Sequence, residues 1–251
     1  MKISTLAILQ ARMSSTRLPE KVLLPINGMP MIYRQIERIR QAKSIDELIV
    51  ATSTDISDDS LATFLTEMGV KVFRGSLQDV FSRYLEIAIE VQPTTVIRLT
   101  GDCPLVMPVL LDEMVEKFLK SNVDYLSNTL EPSFPDGLDI EIMKATALVK
   151  LTEFALTNFE REHVTVGIYD RRGVFSCENF LNYEDLSNKR WTVDHPEDLA
   201  FVRQVFGAFK GSEATFTFKE VLEFLEKNPN IYSEITPDRR NEQSGSYPDE
   251  S

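Results

Sequence analysis

Short apolar runs alternate with amphipathic stretches through the first half of the chain. The run from Ile3 to Leu9 is typical of a strand buried on both faces. Strand-like segments follow at Leu48 to Ala51, Val70 to Phe73, Thr95 to Leu99 and Asp124 to Ser127. The amphipathic stretches predict helices from about Met31 to Ala42, Leu61 to Met68, Asp79 to Glu90 and Pro108 to Leu119. Strands that alternate with helices predict an α/β fold with a mainly parallel sheet covered by helices on both faces.

This alternation breaks between Glu131 and Asp139. Pro132, Pro135 and Gly137 interrupt any regular period there, which predicts a loop or short hairpin inserted over the sheet edge. The later pattern predicts helices from about Ala145 to Phe154 and Glu160 to Tyr169, strands near Val174 to Cys177 and Arg190 to Val193, a helix after Pro196 and a last helix from about Phe218 to Glu226.

The length and composition favour one domain. The chain has 251 residues, 43% of them hydrophobic and spread along its length, which is enough for one sizeable core. A prior of roughly 100–200 residues per domain would allow two domains, but α/β folds often reach about 250 residues as one. We therefore expect a single domain over residues 1–236. Residues 237–251 are too polar to bury a core, so they predict a flexible tail.

The net charge excludes several classes of partner. Lys and Arg number 27 against 39 Asp and Glu, which gives a formal charge of -12. Such a chain has no general electrostatic attraction for nucleic acid or for anionic membranes. An anionic ligand would need cations that are concentrated locally, and such a cluster occurs near the N-terminus.

The cysteines and the first residues bear on the cellular compartment. Cys103 and Cys177 lack the spacing of a zinc site and are too few for a disulfide framework, so two ordinary thiols in a reducing compartment are expected. The apolar stretch from Met1 to Gln10 is short and meets a charged loop, without a cleavage motif. We therefore predict a cytoplasmic protein with no signal peptide and no membrane helix.

The loop from Gln10 to Lys21 carries the strongest chemical signal, because it directly follows the first predicted strand. Three cations and three hydroxyl side chains lie in it: Arg12, Arg17, Lys21, Ser14, Ser15 and Thr16. Open α/β sheets bind ligands at the carboxyl ends of their strands, and cations with backbone amides at that edge suit a triphosphate. A solvated basic turn is the alternative, and the position after the strand favours the binding loop. The glycines of a Walker loop or a dinucleotide motif are missing.

Two aspartates follow predicted strands farther along the chain. Asp102 could hold a hard cation, which needs oxygen ligands, or it could cap the helix that follows Pro104. Asp194 ends the late strand, and metal binding and capping of the helix at Pro196 are equally compatible with its position. If the two strands are neighbours, the carboxylates converge, and Mg²⁺ could bridge them to phosphate oxygens.

At these motifs the chain resembles the cytidylyltransferase family that includes acylneuraminate and 3-deoxy-manno-octulosonate cytidylyltransferases, most closely its spore coat polysaccharide biosynthesis branch. The similarity extends from the first strand to about residue 206. Seven motifs carry it: Ala11 to Lys21; Phe73 to Ser76 with Asp79 and Val80; Arg98 to Pro104; Ser127 to Thr129; Pro135 to Asp139 with Glu141; Arg161 to Val164; and Trp191 to Asp198. Their combination is highly specific for the family.

The resemblance implies a Rossmann-like nucleotidyltransferase fold and the transfer of CMP from CTP to a small anionic sugar acid, of the nonulosonate or 3-deoxy-ulosonate type, for surface polysaccharide or glycan biosynthesis. Pyrophosphate would be released. The implied catalytic residues are Arg12, Lys21 and Asp102, and the implied Mg²⁺ ligands are Asp102 and Asp194. The implied nucleotide-binding residues are Ala11, Arg12, Ser14, Ser15, Lys21, Arg74, Ser76, Asp79, Thr100 and Gly101.

The resemblance also implies an acceptor side and a homodimer. The implied acceptor-binding residues are Asn128, Asp136, Gly137, Asp139, Glu141, Arg161 and His163. All of them fall in a region over about 128–170, which would also contribute to dimerisation.

Two positions depart from the family pattern. Ser14 and Glu20 stand where the pattern commonly has glycine. Glycine permits a positive φ and a close backbone approach, so both replacements narrow the conformations of the loop. The Glu20 carboxylate would also repel phosphates unless it points away or meets the metal.

The implied mechanism is in-line attack of an acceptor hydroxyl on the α-phosphorus, with catalysis from positioning and charge neutralisation. No dedicated base is then needed. This agrees with the histidines of the chain, because nothing near His195 in sequence would orient its imidazole and His163 lies on a helical pattern. Three alternatives stay open: a phosphonate or polyol-phosphate acceptor, a nucleotide-binding subunit without turnover, and a sugar-transferring enzyme of related fold. The third is disfavoured because Asp136 and Asp139 do not form an Asp-x-Asp pair.

Overall fold

The computed structural model describes residues 3–231, which are built around a sheet of seven strands. The strands in chain order are β1 (Thr5–Gln10), β2 (Pro25–Ile26), β3 (Met29–Pro30), β4 (Glu47–Ser53), β5 (Lys71–Gly75), β6 (Thr95–Thr100), β7 (Tyr125–Ser127), β8 (Glu141–Lys144) and β9 (Cys177–Asn179). β2 and β3 form a separate hairpin, and the others form the sheet in the order β5-β4-β1-β6-β8-β7-β9. Within this sheet, β8 runs antiparallel to both of its neighbours, and all the other pairs of strands are parallel. The predicted mainly parallel α/β fold is confirmed.

Helices cover both faces of this sheet. The described residues form α1 (Met31–Ile39), α2 (Asp59–Glu67), α3 (Val80–Val91), α4 (Pro108–Ser121), α5 (Ala145–Leu151), α6 (Asn158–His163), α7 (Val166–Tyr169), α8 (Pro196–Ala208) and α9 (Phe218–Lys227). None of these helices is both long and apolar enough to cross a membrane.

Two hydrophobic clusters form the core, one on each face of the sheet. Successive side chains of a strand point to opposite faces, so β1 contributes Ala7 and Leu9 to one cluster and Leu6 and Ile8 to the other. The first cluster includes side chains of α1, α2, α4, α8 and α9, and the second includes side chains of α3, α5 and α7. A strand buried in this way needs apolar residues at every position, which is why β1 appears in the sequence as a continuous apolar run.

The register of the central strands brings two chain segments to one edge of the sheet. The last residue of β1, Gln10, pairs with Ala51 of β4 and with Thr100 at the end of β6. The loop after β1 and the turn after β6 therefore leave the sheet side by side, at the carboxyl ends of parallel strands.

Two predicted elements were wrong in the second half of the chain. Residues 190–193 do not form a strand, and the pairing there is one isolated bridge between Asp136 and Arg190. The predicted helix from Glu160 to Tyr169 is divided into α6 and α7 at Val164, whose φ of 53° is incompatible with a helix. The predicted loop between 131 and 139 is confirmed.

Two elements were not predicted. β8 has only four residues and is followed directly by α5, so the sequence shows no separate apolar run for it. The hairpin of β2 and β3 turns at Asn27 and Gly28, which both have positive φ. The predicted tail over 237–251 lies outside the described residues.

Candidate active site

The loop after β1 is held in place by a buried carboxylate. Asp58 is fully buried, and its Oδ1 accepts a hydrogen bond from the backbone amide of Met13 at 2.7 Å. Its Oδ2 accepts from the backbone amide of Ser53 at 3.1 Å and from the Ser53 hydroxyl. The amide of Ala11 also donates to the carbonyl of Ala51 at 3.1 Å. These bonds fix the beginning of the loop on the end of β4. No sequence signal marks Asp58, which lies among polar residues.

The end of this loop contains a strained residue. Glu20 has a φ of 58° and a ψ of 17°, in the left-handed region that glycine prefers. Its side chain is exposed, and the next residue, Lys21, begins a short 3-10 helix. Ser14 is also exposed but lies outside the left-handed region. The expected conformational demand for glycine therefore exists at Glu20 and not at Ser14.

Lys21 points into the protein, between the two aspartates. Its Nζ lies 2.8 Å from the Val193 carbonyl, 3.0 Å from Asp194 Oδ1 and 3.5 Å from Asp102 Oδ2. Burial alone would lower the pKa of Lys21, but Asp102 and Asp194 outweigh it and hold the pKa above its ordinary value. The structure thus brings together the three residues that the sequence pattern expected to meet.

Asp102 lies in a turn that packs closely against the beginning of the basic loop. A Cβ on Gly101 would lie 3.0 Å from the Cβ of Ala11 and 3.1 Å from the Gln10 carbonyl, so a side chain would push the two segments apart. Burial would raise the pKa of Asp102, but Lys21 and a hydrogen bond from Thr100 hold it below its ordinary value. Asp102 does not cap α4, because that helix begins at Pro108 with Met107 in the capping position.

Asp194 receives three cations in a buried position. Its Oδ1 contacts Lys21 and lies 3.0 Å from Arg17 Nη2, while its Oδ2 accepts from Arg190 Nη2 at 2.7 Å. His195, not Asp194, occupies the capping position of α8. The alternative in which Asp194 caps this helix is therefore wrong.

Arg190 is a site residue that sequence reasoning missed. Its side chain is 3% exposed and binds Asp136, Asp194 and Asp198. The available signal was an arginine four residues before one aspartate and eight before another. The strand expected over 190–193 gave Arg190 no chemical role, because its partners Asp136 and Asp198 come from outside that segment.

The two aspartates fit a divalent metal of the magnesium type. Asp102 Oδ2 and Asp194 Oδ1 converge on the single ammonium group of Lys21, so a small cation could contact both. Mg²⁺ is usually held by one or two carboxylates together with substrate phosphates and water. Within residues 3–231, no three acidic, histidine or cysteine side chains are arranged to hold a metal by themselves. A site of this kind would need oxygen ligands from the substrate.

The other expected nucleotide-binding residues lie at the same edge but in separate contacts. Arg12 is half-exposed, and its Nη2 lies 3.8 Å from Glu162 Oε1. The Arg74 guanidinium donates to the Ser53 carbonyl at 2.8 Å and pairs with Asp59 at 2.6 Å. These contacts tie Arg74 to β4 and α2 rather than to Lys21.

Ser76, Asp79 and Arg161 form a chain of contacts at the beginning of α3. The Ser76 hydroxyl accepts from the amide of Asp79 at 3.0 Å, and Asp79 caps α3 by accepting from the amide of Ser82 at 2.9 Å. Asp79 also pairs with Arg161 of α6 at 2.7 Å. The structure therefore joins an expected nucleotide residue to an expected acceptor residue.

The segment from Pro135 to Asp139 lies against residues 190–193. Gly137 has a φ of 102°, and a Cβ there would lie 2.3 Å from the backbone nitrogen of Thr192. Asn128 binds the same segment, since its side chain donates to the Leu138 carbonyl at 2.8 Å and accepts from the Ile140 amide at 2.9 Å. Asn128 is buried, so these two bonds hold the segment to the protein interior.

Asp102 and Asp139 both act electrostatically on Cys103. Burial raises the pKa of the Cys103 thiol well above its ordinary value, and the charges of Asp102 and Asp139 raise it further. A thiol in this state stays protonated, as expected of an ordinary buried cysteine.

Glu141 and His163 both lie near Arg98 of β6. Glu141 binds the Arg98 guanidinium, the Tyr125 hydroxyl at 2.6 Å and the Thr165 hydroxyl. Burial lowers the pKa of His163, with a further contribution from the charge of Arg98. The structure therefore places Glu141 in an internal network, while His163 is only half-buried.

Comparison with known proteins defines the class to which this fold and site belong. A family model described as cytidylyltransferase matches residues 6–235. The chain belongs to the cytidylyltransferase family and is a CTP-dependent nucleotidyltransferase, as the motifs predicted.

Particular relatives show the same relationship. The chain is 33% identical over 241 residues to the spore coat polysaccharide biosynthesis protein SpsF of Bacillus subtilis, across 93% of this chain and 98% of that protein. A cytidylyltransferase structure from Leptospira borgpetersenii has a TM-score of 0.86 and 33% identity, with 94% of this chain and 98% of that chain covered. The structure of a CMP:2-keto-3-deoxy-manno-octonic acid synthetase complexed with CTP has a TM-score of 0.65 and 19% identity, with 82% and 99% covered, and that likeness concerns the fold.

Proposed function

We propose that the enzyme transfers CMP from CTP to a small sugar acid of the nonulosonate or 3-deoxy-ulosonate type, for surface polysaccharide or glycan biosynthesis. The observation that carries this function is the position of the Lys21 ammonium between Asp102 and Asp194, beside the loop after β1. A relative named for spore coat polysaccharide biosynthesis supports the polysaccharide role, and the motifs shared with 3-deoxy-manno-octulosonate cytidylyltransferases support the class of acceptor.

The triphosphate would lie along the loop after β1. Lys21, Arg12 and Ser15 would bind its phosphates, with Ala11, Ser14, Thr100 and Gly101 lining the same edge and with Arg74, Ser76 and Asp79 around the nucleoside. Asp102 and Asp194 would hold Mg²⁺, which when bound neutralises phosphate charge and polarises the α-phosphate. Lys21 now contacts both carboxylates, so it would turn from them toward the phosphates when substrate binds.

The reaction needs positioning more than proton transfer. The acceptor hydroxyl oxygen forms a bond to the α-phosphorus while the bond from that phosphorus to the bridging oxygen of the β-phosphate breaks. Pyrophosphate leaves with the electron pair, and the hydroxyl proton passes to solvent. Arg12 and Lys21 would stabilise the charge that develops on pyrophosphate, as preorganised cations do in phosphoryl transfer.

The acceptor would bind beside this edge. The segment from Pro135 to Asp139 packs against Trp191 and Thr192, and the adjacent amide of Val193 donates to the Asp102 carbonyl. Arg161 and His163 belong to α6. Arg161 is 41% exposed and could receive a carboxylate of the acceptor.

A pyrophosphate-release assay with CTP and Mg²⁺ tests this function. We expect release with a 2-keto sugar acid and not with a phosphonate or a polyol phosphate, and faster release with CTP than with UTP or ATP. Release only with a phosphonate or polyol phosphate would refute the acceptor class. CTP binding without release for every acceptor would indicate a nucleotide-binding subunit.

The Lys21→Met variant removes the ammonium and keeps the length of the side chain. We expect pyrophosphate release to fall about a hundredfold or more, because a preorganised charge is lost. Lys219→Met, at a lysine whose side chain is 85% exposed on α9, is the matched control and should keep full activity. Full activity of a folded Lys21→Met enzyme would remove Lys21 from the mechanism.

A further inference from the structure

Arg190 is a buried cation that contacts three carboxylates at once. Its Nη2 donates to Asp194 Oδ2 at 2.7 Å, and its Nη1 donates to Asp136 Oδ2 at 3.1 Å. The third carboxylate, Asp198, accepts from Nε at 3.0 Å and from Nη2 at 3.2 Å. A planar guanidinium bound in this way has little freedom to rotate.

These contacts divide the two oxygens of Asp194 between separate partners. Arg190 binds Oδ2, whereas Oδ1 faces Lys21 and Arg17, each at 3.0 Å. Because a rigid donor holds Oδ2, rotation of the carboxylate is restricted. Oδ1 is therefore presented toward Asp102, where the metal would bind.

Asp198 fixes the backbone beneath this carboxylate. Its Oδ2 accepts from the amides of Asp194 and His195, both at 2.9 Å. Arg190 and Asp198 together determine both where the Asp194 backbone lies and how its side chain is turned.

The same guanidinium joins Asp194 to the expected acceptor segment. The amide of Asp136 donates to the Lys189 carbonyl at 2.8 Å, and the amide of Trp191 donates to the Asp136 carbonyl at 2.6 Å. The side-chain pair between Arg190 and Asp136 adds to these two backbone bonds. A displacement of Asp136 would therefore be transmitted to Asp194 through one shared side chain.

We propose, on the basis of the function proposed above, that Arg190 is a positioning residue that orients Asp194 for the divalent metal and couples the metal site to the acceptor segment. It contacts neither substrate nor metal. Partners that orient metal ligands contribute about 10- to 100-fold to metal affinity or activity. Arginine suits this role because lysine cannot serve three carboxylates with a flat, branched set of donors.

Binding of Mn²⁺ to the enzyme in the presence of CTP tests the role of Arg190. Electron paramagnetic resonance distinguishes protein-bound Mn²⁺ from Mn²⁺ bound to CTP alone. We expect Arg190→Lys to weaken Mn²⁺ binding by about 10- to 100-fold. High Mg²⁺ should restore part of its turnover, which a merely structural defect would not allow.

Arg38→Lys is the matched control. Arg38 is also fully buried, but it donates to the carbonyls of Val106, Glu213 and Phe216 and not to the site carboxylates. We expect it to lower thermal stability as Arg190→Lys does, while Mn²⁺ affinity stays at the wild-type value. Equal losses of Mn²⁺ affinity in both variants would refute the positioning role.

A second variant keeps the test decisive if Arg190→Lys does not fold. Asp198→Asn preserves shape but weakens the hold on Arg190, so Mn²⁺ affinity should fall by a smaller factor. Unchanged affinity in that variant and in any folded Arg190→Lys enzyme would overturn the positioning role alone. If the wild-type enzyme with CTP binds no Mn²⁺, the metal site of the proposed function fails instead.

Discussion

Glu20 combines an unfavourable backbone conformation with an unfavourable charge. Its φ of 58° is a conformation that costs an L-residue about 1–2 kcal/mol relative to the right-handed region. Its carboxylate is exposed at the end of the loop after β1, which would bind a triphosphate. The two effects have different physical origins, so they can be separated by two substitutions.

Glu20→Gly should raise the free energy of unfolding by about 0.5–1 kcal/mol and lower the KM for CTP. The first effect follows from relief of the left-handed strain, and part of it is offset by the greater freedom of glycine in the unfolded chain. Denaturant unfolding and initial-rate kinetics measure the two effects.

Glu20→Ala is the control, because it removes the charge and keeps the Cβ. We expect it to lower the KM for CTP without the gain in stability. Equal stabilisation by both variants would show that the backbone conformation is not the cause.

At the scale of elements, the approach of 135–139 to 190–193 decides the shape of the site. The two segments share one parallel bridge, so ordinary sheet pairing contributes little. Gly137 permits the approach, since any side chain there would collide with the backbone of Trp191 and Thr192. The adjacent amide of Val193 then donates to the Asp102 carbonyl at 2.8 Å, which completes the connection to β6.

Gly137→Ala should destabilise the protein by about 3 kcal/mol or more, since both backbone strain and overpacking oppose it. Gly211→Ala is the matched control. Gly211 has a similar φ of 93°, but nothing lies within 4 Å of a Cβ there. We expect it to cost about 1–2 kcal/mol, from strain alone. Equal losses in thermal denaturation would contradict the close-packing argument.

The turn between α6 and α7 is a second element with unusual geometry. Val164 has a φ of 53° and a ψ of -66°, and the amide of Thr165 donates to the His163 carbonyl at 2.5 Å. This is a γ-turn of the strained, positive-φ form, which is rare for a β-branched residue. It allows Thr165 to reach Glu141 while His163 stays half-buried near Arg98.

At the scale of the whole molecule, a chain with a net charge of -12 concentrates cations at one edge of its sheet. Arg12, Arg17 and Lys21 come from the loop after β1, and Arg190 comes from a distant part of the chain. Four carboxylates, Asp102, Asp136, Asp194 and Asp198, contact the last three of these cations. These four carboxylates exceed the three cations that they contact by one negative charge. This local charge suits a triphosphate that carries a bound metal better than a free triphosphate.

The free energy of unfolding should depend on pH through His163. Burial holds its pKa below the ordinary value of 6.5, so between these two pKa values the unfolded chain binds more protons than the folded one. The contribution of His163 to the free energy of unfolding is therefore complete above pH 6.5. It is lost as the pH falls from 6.5 through the pKa of His163 in the folded protein. His163→Gln should flatten this decline.

Urea unfolding of both proteins between about pH 7.5 and 5.5 measures the effect. The ordinary pKa values of Asp and Glu, 3.8 and 4.5, lie below this window. Parallel curves for wild type and His163→Gln would show that His163 is not the source of the slope.

The single domain, the homodimer and the cytoplasmic location stay predictions. The described residues contain one seven-stranded sheet with a core on each face, which is compatible with a single domain. Analytical ultracentrifugation would determine the oligomeric state directly.

The parallel core of the fold and the chemistry of the loop after β1 follow from the sequence alone. Local patterns suffice for this, because β1, β4, β5 and β6 are each centred on apolar residues and because the basic loop follows β1 and Asp102 follows β6. The carboxyl ends of parallel strands meet at one edge, so the approach of the loop after β1 to Asp102 was predictable. The strand expected before Asp194 does not form, and Asp194 is held at this edge by contacts with Arg190 and Asp198.

How that edge is held together depends on contacts that form only when the chain folds. Asp58, Arg190 and Asp198 act through partners far away in sequence or across a turn, and nothing local distinguishes a buried polar group with partners from an exposed one. The backbone conformations of Val164 and Gly137 likewise depend on neighbours brought close by folding. These residues are selected by packing and charge compensation in three dimensions, and such long-range terms leave no period or spacing in the chain.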